Sequence, residues 1–595
     1  MVRRFTTRAG SQDGETASAG VGVLSSSAPG SGAADGAPPD AGTRDGEAEP
    51  GAPQKNRSEG DAVPQGETVI AGIASADTVH VETGEAEMRR AAFEDGGRRA
   101  VVDIGSNSVR LVIYEGPARA PIPICNEKAL CGLGRDKTED GGLNPGACDY
   151  ALATLRRYRS LVDAYGAPRV FAIATSAVRD ARNGPAFMAA VAALGFDAQT
   201  LSGGEEAALA AQGVISVEPH ADGLAGDMGG GSLELVSLDA GRIGDHVSMA
   251  LGPLNLMRLS GGDLGRARRL IDAELDKTDL LRRGGRPALY TVGGAWRAVA
   301  RIHMRLRSYP LSVLHRYEMT ARAAIEICNL IAHQSRRSLE DIPGIPRRRI
   351  DTLPYASLVL KAVLERMNAE RVIVSSGGVR EGILYRELSP AQMARDPLLE
   401  ACRFFASRLA PHAAYGEACF PVIDGLFAPA DNAGDDVSDD QGDDPVRRLR
   451  RAACLLIDTG AYFHPDLRGG HAFETALSAP FVAVSHEERV WLALALYRRY
   501  QGRSAPMPNE AAISLLPWEL QQSATQCGLA MRFVASYAPK VAVPLAGCRL
   551  RLEEDGRLVF RAPADRRGLM GDTPRKRLEA LAASFEAEPA EIYDE

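Results

Sequence analysis

The first 98 residues have almost nothing from which to build a core. They hold one leucine, Leu24, and no tyrosine or tryptophan, and they are dominated by Gly, Ala, Ser, Pro, Asp and Glu. Such a stretch cannot bury enough apolar surface to offset chain entropy, so 1–98 is predicted to be a disordered extension. The chain also lacks any run of 18 apolar residues, which excludes a helical membrane span and a membrane partner of that kind. Its basic start, Met1-Val2-Arg3-Arg4-Phe5, is not followed by the apolar segment that a secretory signal needs. A cysteine framework is missing too. The nine cysteines are odd in number and scattered without a C-x-x-C, and the close pair Cys125 and Cys131 has no partner histidines. This argues against disulfides and zinc, and a cytoplasmic location is expected. An excess of positive charge is also absent. The net charge of −8 speaks against a nucleic-acid partner, while leaving room for a local basic groove that holds a smaller polyanion.

What the chain does contain is one short pattern written twice. Val102-Asp103-Ile104-Gly105-Ser106-Asn107-Ser108-Val109-Arg110-Leu111-Val112 and Gly226-Asp227-Met228-Gly229-Gly230-Gly231-Ser232-Leu233-Glu234-Leu235-Val236 both read D-x-G-x-x-S-x-x-L-V. An Asp, a tight glycine turn, a Ser and an apolar strand suit a phosphate-gripping hairpin, because glycine lets backbone N–H groups approach an anion closely. Two copies predict two similar domains facing each other across a phosphate site.

The length of 595 residues suggests about three or four domains. Residues 99–220 read as a first mixed domain and 221–395 as a second. Apolar strands repeatedly run into glycine turns and helices, as at Leu289–Val292 before Gly293-Gly294 and Arg371–Val374 before Gly377-Gly378. Ligands of α/β sheets gather at such strand ends. From 396 to 595 the pattern turns helical, interrupted by an acidic loop at 431–445. A hairpin is expected over Arg549–Phe560, turning at Asp555-Gly556. A last helix is expected to start near a Thr573 cap with Pro574 at its first position.

Several residues could carry chemistry. Asp103 and Asp227 end strands just before the turns, and Glu234 lies further along the second hairpin. Carboxylates beside phosphate loops repel a phosphate substrate unless a cation lies between, and Mg²⁺ binds a few carboxylates together with phosphate oxygens. Glu205 and Glu206 follow Ser202-Gly203-Gly204. They read either as first-turn acids that favour the helix dipole or as a base that activates water. Arg179 is expected in the first turn of a helix beginning at Thr175-Ser176. A cation is unfavourable there unless an anion is bound, although pairing with Asp180 or Glu205 is an alternative.

Together the stretches VDIGSNSVRLVIYE, ATSAVRDARN, LSGGEEA, GDMGGGSLELV, TVGGAWRAVARIH, YPLSVLHRYEM, RIDTLPYASLVL and SSGGVREGILY resemble the exopolyphosphatase/guanosine pentaphosphate phosphatase (Ppx/GppA) family, over about residues 100–390. The resemblance implies an α/β fold of two actin-like (ASKHA, ribonuclease H-like) domains followed by a mainly helical HD-like C-terminal domain. It implies Glu206 as the catalytic base. It implies Gly105, Ser106, Asn107 and Ser108 as one phosphate loop, Gly229, Gly230, Gly231 and Ser232 as the other, and Arg179 as a phosphate ligand. Asp103, Asp227 and Glu234 would stand near the metal. It further implies Mg²⁺ as cofactor with K⁺ as a stimulating ion, a homodimer, and inorganic polyphosphate or guanosine pentaphosphate (pppGpp) as substrate.

The expected activity is therefore release of terminal orthophosphate from polyphosphate. Conversion of pppGpp to ppGpp by the same site is the nearest alternative. A kinase of the same superfamily and a non-catalytic alarmone-binding regulator are the more distant ones. The C-terminal part departs from the HD pattern. Ile457-Asp458 stands where a metal-binding His-Asp pair would appear, and His464, Asp466, His471 and His486 form no clear ligand pattern. No independent metal phosphohydrolase is expected there.

Overall fold

A computed structural model describes residues 97–594 apart from 136–137, 283–286, 343–346 and 428–444. The expected disordered extension up to residue 96 and the acidic loop at 431–444 lie outside the described residues.

The repeated motif folds as two hairpins of the same register. β1 (Arg99–Ile104) pairs antiparallel with β2 (Val109–Glu115), and β6 (Gly223–Met228) pairs likewise with β7 (Leu233–Asp239). The turns close identically: Gly105 N–H donates to Ser108 O at 3.1 Å and Gly229 N–H to Ser232 O at 3.0 Å. Each hairpin extends into a sheet. The first has the order β3-β2-β1-β4-β5, with β3 Ile122–Ala129, β4 Arg169–Ala174 and β5 Ala198–Thr200. The second has the order β10-β11-β9-β6-β7-β8, with β8 Arg242–Met249, β9 Ala288–Val292, β10 Glu318–Thr320 and β11 Arg371–Val374. In both sheets the hairpin strand runs parallel to its next neighbour, β4 or β9, so the second sheet repeats the first and adds β10 at its edge. With helices on both faces, this is the actin-like (ASKHA) architecture.

Apolar alternation explains the layers. One face of β1 and β2 places Val102, Ile104 and Leu111 against Leu155, Tyr158 and Phe187. The opposite face places Val101 and Val112 against Leu209, Ile383 and Leu384. In the second sheet, Leu224 and Leu235 join Trp296, Val359 and Leu360, while Ala225 and Val236 meet Ala207, Ala211 and Val214. The helix Gly203–Val217 therefore packs on both sheets. It crosses the helix Val379–Arg386 backbone to backbone. A Cβ on Gly213 would lie 2.0 Å from Gly378 O, and one on Gly382 would lie 1.9 Å from Leu209 O. Only glycine permits such an approach.

The C-terminal region is mainly helical around one apolar core, which includes Trp491, Phe473, Phe533 and Phe560. Its helices include Pro397–Leu409, Arg468–Ser478, His486–Gln501 and Trp518–Tyr537. A small sheet accompanies them. The expected hairpin forms from β12 (Arg549–Leu552) and β13 (Arg557–Pro563), and a strand missed in the sequence, β14 (Glu588–Asp594), runs parallel to β13. The last helix begins at Asp572 after a Gly571 cap rather than at a Thr573 cap. Asp458, in the position of the expected HD aspartate, is buried and paired with Arg499 at 2.7 Å. His471 stacks on Phe463, and His486 is buried against Tyr309. Among the described residues no helix is long and apolar enough to cross a membrane.

Candidate phosphate site

Both hairpin turns open into one cavity of about 630 Å³. Gly105, Ser106, Asn107 and Ser108 line it from the first sheet, and Gly229, Gly230 and Ser232 from the second. Each turn is braced by the loop that follows the third strand of its sheet. Gly134 N–H donates to Ser106 O and Gly252 N–H donates to Gly231 O. Gly231 itself is absent from the cavity wall, but a Cβ there would meet Ser176 Oγ at 3.4 Å. Ser106 Oγ and Ser176 Oγ are hydrogen-bonded at 3.1 Å, which ties the first turn to the end of β4.

The structure separates the two adjacent glutamates. Ser202 Oγ accepts from Glu205 N–H, and the Glu205 carboxylate accepts from Ser202 N–H, so Glu205 closes a capping box. Glu206, one residue on, lines the cavity, and its Oε2 is buried without a hydrogen-bond partner. Burial, with Glu234, Asp227 and Asp103 nearby, pushes the Glu206 carboxyl up to about 9 despite Arg179 at 3.8 Å. Burial and its carboxylate neighbour Asp227 raise Glu234 to about 7. Burial likewise raises Asp227 to about 6, against the pull of Arg297 and Arg380.

The acids are not equivalent. Asp103 lines the cavity but is drawn to Arg380 at 2.8 Å. Asp227 lines it as well, whereas Glu234 is buried behind the turn, with Ser248 Oγ donating to its Oε1 at 3.0 Å and its Oε2 unpartnered. Among the described residues, no three histidine, cysteine or acidic side chains converge as a ready metal cage. Mg²⁺ does not need one, since it uses one or two carboxylates plus substrate oxygens and water. Crowded carboxylates with orphaned, buried oxygens beside the two glycine turns fit such an ion.

Arg179 lies in the first turn of a helix after Thr175, as expected, and that turn is also the last. Its helix, Ser176–Arg179, is a single turn with Thr175 at its start making no side-chain cap, so the arginine ends the helix instead of opposing its dipole. Arg179 donates to Leu201 O and pairs with Asp180 at 3.0 Å, outside the cavity wall but beside Glu206.

The cavity holds a second charge cluster that motif reading passed over. Arg110, Arg297, Arg301, Arg349 and Arg380 line it with Lys128 and Arg135. The signal was present: Arg297 and Arg380 follow the glycine pairs Gly293-Gly294 and Gly377-Gly378 within one helical turn, and Arg110 sits inside the first hairpin motif. Gly293, at φ 96°, turns the chain from β9 into the helix Gly294–Leu306 that carries Arg297 and Arg301. Burial, then Arg380 and Arg297, lowers Arg110 to about 10, and burial with Arg380 lowers Arg297. Burial pulls Arg380 the same way, but Glu381 and Asp103 outweigh it. Cations held this close are relieved by an anion among them.

Comparison with known proteins matches this frame. Residues 112–391 match the model of the Ppx/GppA phosphatase family, and residues 440–587 match that of the exopolyphosphatase C-terminal region. The chain belongs to the Ppx/GppA phosphatase family. This chain is a hydrolase that acts on phosphoric anhydrides. It is 26% identical over 445 residues to retrograde regulation protein 2 of Saccharomyces cerevisiae, covering 68% of this chain and 72% of that protein. It is 26% identical over 307 residues to exopolyphosphatase 1 of Mycobacterium bovis, covering 49% of this chain and 88% of that one. A crystal structure of the Aquifex aeolicus Ppx/GppA family member covers 49% of this chain and 97% of its own, at 24% identity and a TM-score of 0.44.

Proposed function

We propose that the protein is an exopolyphosphatase that removes terminal orthophosphate from inorganic polyphosphate. One observation carries this reading: a single cavity holds two phosphate turns, an unpartnered buried Glu206 and a row of arginines. A lone phosphate would use the turns alone, whereas a chain of phosphates gives the arginines partners as well.

The terminal phosphate lies between the turns at Gly105–Ser108 and Gly229–Ser232, where backbone N–H groups and hydroxyls bind its oxygens. Inner phosphates lie along Arg110, Arg297 and Arg380. Glu206 takes a proton from water as the water oxygen bonds to the terminal phosphorus and the bridging P–O bond breaks. Phosphoryl transfer asks little else of a protein beyond positioning and charge stabilisation. Asp227 and Glu234, with Asp103 nearby, would hold Mg²⁺, which would offset the charge of these acids and of the phosphate oxygens and so favour ionised Glu206. Arg179 keeps Glu206 oriented and offers positive charge beside it.

The test is Mg²⁺-dependent phosphate release from long-chain polyphosphate and, separately, from pppGpp. Fast release from polyphosphate supports the proposal. Release from pppGpp alone replaces it with the alarmone reading, which uses the same residues.

A further inference from the structure

A second cavity of about 290 Å³ lies where the first sheet, the 379–386 helix and the C-terminal region meet. Its walls are mostly apolar: Val112 and Tyr114 from β2, Leu384 and Tyr385 from the helix, and Phe481 and Val482 from the C-terminal region. Polyphosphate has no group that such walls could hold. Five arginines line the cavity, Arg110, Arg119, Arg297, Arg380 and Arg489, against one acid, Glu381.

The polar atoms left over in this cavity are all of one kind. Three of its lining residues carry a buried nitrogen without a hydrogen-bond partner: Arg380 Nε, Arg489 Nε and His315 Nε2. The first two are N–H donors by chemistry. His315 Nδ1 accepts from Ser376 N–H at 3.3 Å, so the neutral ring carries its proton on Nε2, which is a donor too. Glu218 Oε1, itself without a hydrogen-bond partner, stands 3.9 Å from it, so the two arginine nitrogens are the donors that only a ligand could pair. Glu381, in contrast, is satisfied. One oxygen accepts from Tyr114 O–H at 2.6 Å and the other from Gly378 N–H at 3.0 Å. A buried donor left alone is costly, and a ligand pocket is typically apolar with a few convergent polar groups.

We infer that this cavity binds a small aromatic carboxylate, with the ring between Tyr385, Phe481 and Val112 and the carboxylate accepting from the lone donors. Donors without acceptors select a group that only accepts, and the excess of arginine selects a negative one. The cavity is lined by neither glycine turn nor Glu206, so binding here is measured apart from hydrolysis. Its end wall, Arg110, Arg297 and Arg380, is shared with the phosphate cavity, so an occupant touches side chains of both.

The test uses the full chain and direct binding. Thermal unfolding and titration calorimetry are run with phenylacetate, cinnamate and naphthoate, and with neutral cinnamyl alcohol as control. At least one carboxylate is expected to bind saturably and to raise Tm by about 1–2 °C at ten times its Kd, while the alcohol gives no shift. Val482→Trp, which fills the cavity from a half-exposed wall position, removes binding, and Leu388→Phe provides a second filling variant should the first unfold. The inference is overturned if none of the carboxylates binds, if the alcohol binds equally well, or if folded filling variants bind as the parent does.

Discussion

Asp227 on β6 faces Glu234 on β7 directly across the ladder, whereas the matching place in the first hairpin sets Asp103 against Arg110. One hairpin carries its own neutralising pair. The other places two acids side by side, and like charges in that position destabilise a sheet. We predict that the second pair is completed by a divalent cation. Exhaustive chelation should abolish phosphate release and Mg²⁺ should restore it. Titration calorimetry with Mn²⁺ should show one site in the parent and markedly weaker binding in Asp227→Asn. Equal Mn²⁺ binding by that variant would remove Asp227 from the site.

Glu206→Gln should bind polyphosphate with nearly unchanged affinity while turnover falls by about 10²–10⁴-fold, the usual contribution of a general base. The adjacent Glu205→Gln is the control. It weakens a helix cap and should lower Tm slightly, with turnover close to the parent. If the two variants exchanged these behaviours, the base would be Glu205.

The Arg380–Asp103 ion pair joins the helix after β11 to the end of β1, across the two sheets. Side-chain exposures of 15% and 22% place it between surface and interior. Arg380→Ala should cost about 1–3 kcal/mol of stability, between the values for exposed and fully buried pairs. It should also raise KM for polyphosphate more than it lowers kcat. Denaturant unfolding and steady-state kinetics on one preparation check both.

His486 gives the fold an acid limit. Its Nδ1 meets Tyr309 O–H at 2.9 Å and its Nε2 meets His315 O at 2.9 Å, a pattern that fits the neutral ring. Burial, partly opposed by the bond to His315 O, with Arg489 and Arg316 also pressing downward, lowers it from 6.5 to about 4. The unfolded chain therefore takes up this proton more readily than the folded one. The stability held above pH 6.5 drains away as pH falls towards 4, by up to about 3 kcal/mol. In His486→Gln, stability measured from pH 7 down to pH 4 should fall less steeply. A slope equal to the parent's would place the acid limit elsewhere.

Gly213→Ala should destabilise by at least about 2 kcal/mol, because the new Cβ lands on backbone that cannot give way. Gly568→Ala, where a Cβ meets nothing within 4 Å, should be close to neutral in the same melting experiment.

The two hairpins and strands β9 and β11 could be read from sequence because each apolar run ends at a glycine turn, whereas β3, β8 and β10 were not anticipated. The duplicated hairpin located the two glycine turns. Other features were hidden for physical reasons. Which of Glu205 and Glu206 faces the cavity depends on a capping bond, which a Ser-Gly-Gly-Glu-Glu string suggests but does not decide. That the helix holding Arg179 stops after a single turn has no signal in the string Thr175-Ser176-Ala177-Val178-Arg179. The arginine row is assembled from separate stretches of chain, each contributing one or two ordinary-looking residues. β14 follows its helix with Glu and Pro, a poor strand signature, and exists because β13 offers a parallel edge. The second cavity exists only where three parts of the fold come together, so no local pattern announces it.

The glycine-to-glycine crossing of the 203–217 and 379–386 helices has a mechanical reading. With backbone against backbone there is no side-chain cushion between them, so any rotation of one sheet against the other that keeps this contact turns about it as about a rivet. Groups close to the rivet, such as Glu206, shift little. Groups at the outer lip, such as Arg135 and Arg301, sweep through a larger arc. The chemistry would then stay in register while the grip on the rest of the phosphate chain tightens or relaxes.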